Sequence, residues 1–366
     1  MMIDRRIFTH FDWTLIGLVL FLACIGILNL YSMTCDGAGG GPPLFLKQIS
    51  WLLIGFVVMA VIALIEYRFY SDVAYIIYVV AFFLLLIVLA YGIITSGAQR
   101  WIKLGSISFQ PSEFVKISLI LALAKFFRRP PARMGYSLRE LRIPFLLLFF
   151  PLVLILKQPD LGTAIILSLI FFSILFFVKI RWSSVLILGI SGLAILPLLW
   201  NFLKDYQKRR IITFFNPDLD PLGAGYHIIQ SKIAVGSGGI LGKGFMNGTQ
   251  CKLGFLPEQQ TDFIFSALTE EWGLVGSLFV IGLYFALILW GLRIAVQSKD
   301  RFGAILAFGV VSMIFWHVFI NIGMVIGIMP VVGIPLPLLS YGGSFLFSTL
   351  IGVGLLLNVS MRRYLF

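Results

Sequence analysis

The sequence predicts an all-α polytopic membrane protein with about ten transmembrane helices and one long, partly helical extracytoplasmic loop. Hydrophobic residues make up 60% of the 366 residues and charged residues only 12%, which is more apolar surface than a soluble domain can bury. Apolar runs of roughly 20 residues, the length that crosses a hydrocarbon core of about 30 Å, recur along nearly the whole chain. Only residues 204–262 form a large hydrophilic segment. A single membrane domain covering residues 1–366 therefore fits the sequence better than several soluble domains.

Ten apolar segments account for the predicted spans. They cover residues 12–33, 46–65, 73–94, 112–127, 143–157, 161–179, 183–203, 263–296, 303–329 and 344–361. The first is predicted to be a signal anchor, because its apolar run from Trp13 to Tyr31 is about 19 residues long and lacks a small-residue cleavage site. The fourth contains Glu113 and Lys116, and the fifth is short and ends at Lys157. Such spans indicate bent or partly inserted helices that line a cavity.

The distribution of basic residues predicts the orientation of the chain. An even number of spans puts both termini on the same side. With the termini in the cytoplasm, the inner segments hold sixteen Lys and Arg residues and the short outer segments only four, as the positive-inside rule requires. Both termini are therefore expected in the cytoplasm and residues 204–262 outside it. The net charge of +12 then reflects topology and contact with anionic membrane lipids, and no nucleic-acid partner is predicted.

The hydrophilic loop is dense in glycine and proline, which indicates irregular backbone with tight turns. Residues 228–235 are nevertheless amphipathic enough for a short helix on the membrane surface. The string GSGGILGKG at 236–244 departs from the P-loop pattern at two positions. Two interpretations remain for this string: consecutive free amides beside Lys243 that contact a phosphate, or a flexible turn.

Two features of the sequence bear on metal and disulfide chemistry. Asp218-Leu219-Asp220 has the Asp-x-Asp form with which several glycosyltransferases hold a metal, and the alternative is a proline-flanked turn whose aspartates cap backbone amides. No cofactor is therefore predicted with certainty, and a divalent cation stays open. Cys35 and Cys251 fall on the same outer face, where they form either a disulfide or two free thiols.

The three histidines lie far apart in the predicted topology, so no zinc site is expected. His10 belongs to the cytoplasmic tail, His227 to the outer loop and His317 to a late span. His317 and Asn321 are four residues apart, and they are expected to bond to each other or to a neighbouring helix.

Ionisable groups at membrane depth are costly and are therefore candidates for function. Glu113 and Lys116 share one helical face and can neutralise one another, either as a structural ion pair or in contact with substrate. Asp160, between two spans, is either a substrate contact or a helix N-cap. Asp262 closes the polar loop and opens the eighth span. There Thr261 or Asp262 caps the helix, or the Asp262 carboxylate has a raised pKa that suits a general base near neutral pH.

The sequence resembles the SEDS family (shape, elongation, division and sporulation) over essentially the whole chain. It is more similar to the elongation branch than to the division branch, because residues 247–250 have the form Asn-Gly-Thr-Gln before Phe-Leu-Pro-Glu. The matching segments are AQRWIKLGSISFQPSEFVK at 98–116, KQPDLGTA at 157–164, DPLGAGYHIIQSKIAVGSGGILGKG at 220–244, FLPEQQTDFIFS at 255–266 and GIPLPLLSYGGS at 333–344.

The resemblance implies a peptidoglycan glycosyltransferase that polymerises lipid II on the outer face of the bacterial cytoplasmic membrane during cell elongation. It also implies a complex with a class B penicillin-binding protein, the transpeptidase that cross-links the strands, within the elongation machinery. The catalytic aspartate of the family matches Asp262, and its cavity carboxylate and lysine match Glu113 and Lys116. Asp160 matches the QPDxGT motif. Gln259-Gln260 departs from the basic residue and histidine that the family commonly has there, so no role of that histidine carries over.

The resemblance leads to a specific hypothesis for the reaction. Asp262 takes the proton from the 4-hydroxyl of the acceptor sugar as this oxygen attacks the anomeric carbon of the donor with inversion. The leaving group is polyprenyl pyrophosphate, so cations must meet its developing charge, and Lys116 with Arg210 or Lys243 are the candidates. Glu258 is included as a further substrate contact. The alternatives are a flippase of a lipid-linked cell-wall precursor and a non-catalytic scaffold for the penicillin-binding protein.

Overall fold

The computed structural model describes residues 11–34, 43–95, 98–104, 107–131, 135–202, 205–216, 219, 223–256 and 258–363. The helices in these ranges are α1 (Trp13–Thr34), α2 (Leu44–Leu64), α3 (Tyr67–Tyr91), α4 (Pro111–Phe126), α5 (Arg142–Lys157), α6 (Leu161–Phe177), α7 (Trp182–Phe202), α8 (Asp205–Phe215), α9 (Ala224–Ser237), α10 (Thr249–Lys252), α11 (Ile264–Gln297), α12 (Arg301–Val325) and α13 (Gly343–Arg362). The strands are β1 (Ile93–Thr95), β2 (Ala98–Leu104) and β3 (Ile107–Phe109).

The prediction of an all-α polytopic membrane protein is confirmed. Each of the ten predicted spans has a helix in the structure, from α1 to α7 and from α11 to α13. Within the part of the chain that the structure describes, six of them, α1 to α3 and α11 to α13, are long and apolar enough to cross a membrane. The predicted short spans, α4 and α5, have 16 residues each, too few for an untilted crossing.

The centre of the bundle is formed by α4, α12 and α13. In their most apolar stretches, 89% of the residues of α13 and 72% of those of α12 are buried, against 22% for α2 and 28% for α3. The outer helices present large apolar side chains, such as Leu53 and Val57, away from the protein. This pattern is typical of a bundle whose outer surface faces lipid. Polar groups on α4 and α12 are therefore enclosed by protein.

A small antiparallel sheet, which the sequence did not predict, lies between α3 and α4. Its strand order is β1-β2-β3, with Ile93 paired to Trp101 and Ile102 paired to Phe109. The Gln99 side chain donates to the Gly92 carbonyl at 2.8 Å and so ties the sheet to the end of α3. The sheet leads directly into α4, whose first residue is Pro111.

The long loop is partly helical, as predicted. The helix expected at residues 228–235 is present and extends over the whole of α9, and α8 and α10 are additional; its place on the membrane surface stays a prediction. Three of the other predicted features, Asp218, Asp220 and Cys35, lie outside the described residues. Within the described ranges, no group of three or more His, Cys, Asp and Glu side chains could hold a metal ion.

The glycine-rich residues 238–244 fill a break in α11. The break is at Gly273, whose φ of 66° and ψ of −164° are not helical and favour glycine. The amides of Lys243 and Gly244 each donate at 3.0 Å to a carbonyl just before the break. The amides of the two residues after Gly273 donate to carbonyls of residues 238–244. The prediction of consecutive free amides at Lys243 is therefore wrong, because the broken helix already binds them.

Candidate active site

The polar side chains converge on one cavity of about 190 Å³. It lies where β2, the first turns of α4 and α6, the turn before α11 and the segment before α13 meet. Two larger cavities, of about 330 and 270 Å³, have no carboxylate or cation in their walls, so they offer no acid–base chemistry. The polar cavity is lined by Arg100, Trp101, Gln110, Glu113, Asp160, Thr163, Thr261, Asp262, Gly333, Pro335, Tyr341, Gly342 and Phe345.

Asp262 lies in a tight turn immediately before α11. The carbonyl of Glu258 accepts from the amides of Thr261 and Asp262, both at 3.1 Å. The carbonyl of Asp262 accepts from the Asn321 side chain at 2.8 Å. The N-cap residue of α11 is Phe263, and it makes no side-chain capping hydrogen bond. The alternative in which Thr261 or Asp262 caps α11 is therefore wrong, and the Asp262 carboxylate is left to face the cavity.

Burial raises the pKa of Asp262 from 3.8 to about 7, and the nearby negative charge of Glu258 adds to the effect. The positive charges of Arg210 and Arg100 and a hydrogen bond from Thr261 lower the pKa and only partly compensate. Burial dominates because a carboxylate that leaves water loses its hydration without gaining an ion-pair partner of its own. Near neutral pH this carboxyl group can both accept and release a proton, as a general base must.

The wall opposite Asp262 is the irregular segment of residues 333–342. Gly333 has φ of +73°, and a Cβ atom there would lie 3.1 Å from Oδ2 of Asp262. The Ser340 hydroxyl donates to the Thr261 carbonyl at 2.5 Å, and the Tyr341 amide donates to the Gln260 carbonyl at 2.9 Å. The wall and the Asp262 turn are therefore held together as one unit.

Glu113 and Lys116 form the predicted ion pair on α4, with Nζ 2.8 Å from Oε2. Both side chains are buried, and Lys116 is fully inaccessible. Glu113 also accepts from the Ser348 hydroxyl at 3.0 Å, and Nζ of Lys116 lies 2.9 Å from Nε2 of His317. Glu113 lines the cavity but Lys116 does not. Lys116 therefore pairs with Glu113 on the side of the carboxylate that faces away from the cavity.

Asp160 occupies the N-cap position of α6, as one of its two predicted roles requires. Its Oδ1 accepts from the Thr163 amide at 3.3 Å and its Oδ2 from the Thr163 hydroxyl at 2.9 Å. Nη1 of Arg100 lies 3.7 Å from Oδ1 of Asp160, and Gln110 donates to Oδ2 at 3.4 Å. Asp160 thus caps the helix and also lines the cavity.

Arg100 is the cavity residue that sequence reasoning missed. It lies on β2, and its guanidinium donates to the carbonyl of Pro159 besides its contact with Asp160. Arg100 is one of the four basic residues in the short outer segments, and the signal that could have singled it out is its place beside Trp101 in the segment 98–116. Its charge reaches Asp262, whose pKa it lowers.

The remaining predicted residues lie outside the cavity wall. Arg210, on α8, is close enough for its charge to lower the pKa of Asp262. Glu258 is exposed, with φ of 51°, and its carboxylate bonds to Thr261 at 3.3 Å. Lys243 is directed elsewhere, because its Nζ lies 2.6 Å from Oε1 of the fully buried Glu270. The structure thus brings Asp262, Asp160 and the Glu113–Lys116 ion pair together at the cavity. Lys243 lies away from it.

Comparison with known proteins places the chain in a family. The family model of FtsW, RodA and SpoVE proteins, described as "Cell cycle protein", matches residues 9–365. The chain belongs to this family. The resemblance predicted from the motifs is thereby confirmed.

Relatives in this family match along almost their whole length. Peptidoglycan glycosyltransferase MrdB of Escherichia coli strain K12 is 44% identical over 358 residues, which cover 97% of this chain and 94% of that protein. A structure described as a peptidoglycan synthase complex that coordinates polymerization and crosslinking has a TM-score of 0.81 at 36% identity, covering 97% of this chain and 98% of that one. The crystal structure of the rod-shape-determining protein RodA of Thermus thermophilus has a TM-score of 0.72 at 31% identity, with the same coverage.

Proposed function

We propose that this chain polymerises lipid II into glycan strands, with Asp262 as the general base. As a member of the family it is a bacterial membrane glycosyltransferase, and its E. coli relative is named for peptidoglycan glycosyltransferase activity. The observation that carries the proposal is the Asp262 carboxyl, whose pKa of about 7 is combined with a place in the wall of the polar cavity. A base works best when its pKa lies near the working pH.

The reaction requires one proton transfer and one displacement. The 4-hydroxyl oxygen of the acceptor sugar attacks the anomeric carbon of the donor, and Asp262 takes the hydroxyl proton. The new glycosidic bond forms as the bond between the anomeric carbon and the phosphate oxygen breaks. The electron pair of that bond leaves with polyprenyl pyrophosphate, and inversion at the anomeric carbon follows from attack opposite the leaving group.

The leaving group develops negative charge that a fixed cation stabilises. Arg100 is suited to this role because it lines the cavity, and a guanidinium binds phosphate oxygens in a bidentate manner. Arg210 supplies a second positive charge near Asp262. Lys243 is the weaker candidate because Glu270 neutralises it. Lys116 acts through Glu113, whose carboxylate it presents to the cavity as an acceptor for sugar hydroxyls.

We also propose an orientation in the membrane and a protein partner. We place both termini in the cytoplasm and the cavity on the extracytoplasmic side, in agreement with the distribution of basic residues. A class B penicillin-binding protein is the proposed partner within the elongation machinery, since a similar structure is described as a complex that coordinates polymerization and crosslinking.

The test is polymerisation of labelled lipid II by the chain purified with its penicillin-binding partner. Asp262→Asn keeps the size of the side chain and removes the base, so we expect a loss of 10²- to 10⁴-fold in rate. Equal polymer from wild type and variant would leave the scaffold as the function. Transport of labelled lipid II across vesicles without polymer would instead favour the flippase. A parallel reaction with EDTA tests whether a divalent cation assists Arg100.

A further inference from the structure

Two polar side chains on α12 contact the irregular backbone that forms the cavity. Asn321 is fully buried, and its Nδ2 donates to the Asp262 carbonyl at 2.8 Å and to the Ile334 carbonyl at 2.7 Å. One amide group therefore joins the turn that carries the proposed base to the wall opposite it. His317 lies one helical turn earlier, and its Nδ1 is 3.3 Å from the Pro335 carbonyl.

The partners of His317 determine its tautomer. Its Nε2 faces Nζ of Lys116 at 2.9 Å, and an ammonium group can only donate. Nε2 therefore accepts, the ring is neutral, and Nδ1 carries the hydrogen that the Pro335 carbonyl accepts. The wall segment is thus bonded through His317 to the ion pair on α4, and through Asn321 to the Asp262 turn.

We infer that Asn321 and His317 form a positioning clamp that holds Asp262 in register with the Glu113–Lys116 pair across the cavity. The Asp262 turn has no helix-capping bond of its own, so the placement of the carboxylate depends on its backbone contacts. Asn321 bonds to that backbone directly and is the principal member of the clamp. It is a positioning residue, because it bonds to the backbone of Asp262 and is not among the residues that line the cavity. The inference rests on the proposed role of Asp262 as base.

The clamp predicts a defined kinetic effect of Asn321→Leu. This change removes both donors at nearly constant volume, and a base displaced by about 1 Å lowers the rate by up to about 10²-fold. We expect kcat for lipid II polymerisation to fall about 10- to 100-fold while KM stays within about twofold. Asn321→Asp has the same shape and donates one hydrogen bond when protonated, so its kcat is expected between those of Leu and Asn.

Asn358 provides a matched control for loss of buried hydrogen bonds. It is also a fully buried asparagine, and its Nδ2 donates to the carbonyls of Ile62 and Ile65 at the end of α2 distant from the cavity. Asn358→Leu removes the same number of donors and also the Oδ1 atom that accepts from the Arg362 guanidinium at 2.6 Å, so it should lower the melting temperature of the purified complex at least as much as Asn321→Leu. Its kcat should stay within about twofold of wild type.

The inference is overturned if Asn321→Leu keeps its kcat, if KM rises alone, or if Asn358→Leu loses kcat to the same degree. Asp262→Asn in the same assay separates this failure from failure of the proposed function. If Asp262→Asn is inactive and Asn321→Leu is fully active, only the positioning role of Asn321 is ruled out. If Asp262→Asn is fully active, the role of Asp262 as general base is ruled out, and the positioning clamp is ruled out with it.

Discussion

The raised pKa of Asp262 predicts that activity and stability change with pH in opposite directions. At pH 3 and below, the carboxyl group is mostly protonated in both the folded and the unfolded chain. Between the ordinary value of 3.8 and the folded value of about 7, the unfolded chain loses this proton and the folded chain keeps it. Folding is then progressively disfavoured as pH rises, and above about pH 7 the whole contribution is lost.

The size of this effect follows from the two pKa values. They differ by about three pH units, and at about 1.36 kcal/mol per unit this corresponds to a cost of about 4 kcal/mol at pH 8. The cavity admits solvent, which screens the charge, so this figure is an upper limit. Asp262→Asn cannot ionise and avoids the cost. We expect this variant to melt at the same temperature as wild type near pH 3, below the unfolded pKa, and at a higher temperature at pH 8.

The catalytic rate should follow the same ionisation with the opposite sign. Only ionised Asp262 accepts a proton, so kcat/KM for lipid II should rise to a plateau with a midpoint near the folded pKa of about 7. At pH 6 the rate should be about tenfold below its plateau. Glu258→Gln is the control, because removal of the Glu258 charge lowers the pKa of Asp262 and should move the midpoint to lower pH.

Two measurements would refute this reasoning. One is a wild-type rate that stays flat from pH 5.5 to 8.5 while the chemical step limits turnover. The other is a melting temperature that falls with pH equally in wild type and in Asp262→Asn. Either result would mean that Asp262 does not titrate near neutral pH in the folded protein.

Three further variants test the rest of the site and its support. Arg100→Gln removes a charge that lowers the pKa of the proposed base, so the pH midpoint of kcat/KM should rise, and KM for lipid II should increase. Lys116→Met leaves Glu113 buried without its ion pair, which should lower the free energy of unfolding by about 3–5 kcal/mol, measured by thermal melting. Gly242→Ala would place a Cβ atom 2.1 Å from a carbonyl oxygen of α11, and we expect destabilisation of about 1–3 kcal/mol in the same assay.

Each of these variants has its own control and its own contrary result. An unchanged pH midpoint in Arg100→Gln would show that its charge does not reach the base. The double variant Glu113→Gln/Lys116→Met should recover part of the lost stability, and Lys116→Met as stable as wild type would contradict the ion-pair argument. Gly239→Ala has a similar positive φ of +56° but no atom within 4 Å of its Cβ, so it should cost less than Gly242→Ala.

The sequence predicted the spans and the Glu113–Lys116 ion pair because both depend on local information. Length and apolar content define the spans, and the cost of a charge in an apolar span draws attention to Glu113 and Lys116. The sheet was missed because β1 and β3 have three residues each, too few to show alternation. Arg100 was missed with it, since its place in the cavity depends on the fold of β2.

Lys243 was one of the candidate cations for the leaving group, because its partner cannot be recognised in the sequence. Glu270 lies 27 residues later, within what reads as one continuous apolar span. Only the break at Gly273 brings residues 238–244 against that part of α11. The same break binds the amides that the glycine-rich string was expected to leave free. Contacts that depend on an interrupted helix therefore could not be predicted from the sequence.

Asp160 and Asp262 show why the same residue type before a helix can serve different ends. Both precede a buried helix, but Asp160 caps α6 through Thr163 and contacts Arg100, so its oxygens are occupied. Phe263 intervenes before α11 and takes the N-cap position, which moves the Asp262 carboxylate away from the helix amides. A carboxylate that accepted those amide hydrogens would be stabilised in its charged form and would be a poor base. The one-residue offset at Phe263 thus leaves the Asp262 carboxylate half-buried at the cavity, away from the helix amides and able to accept a proton.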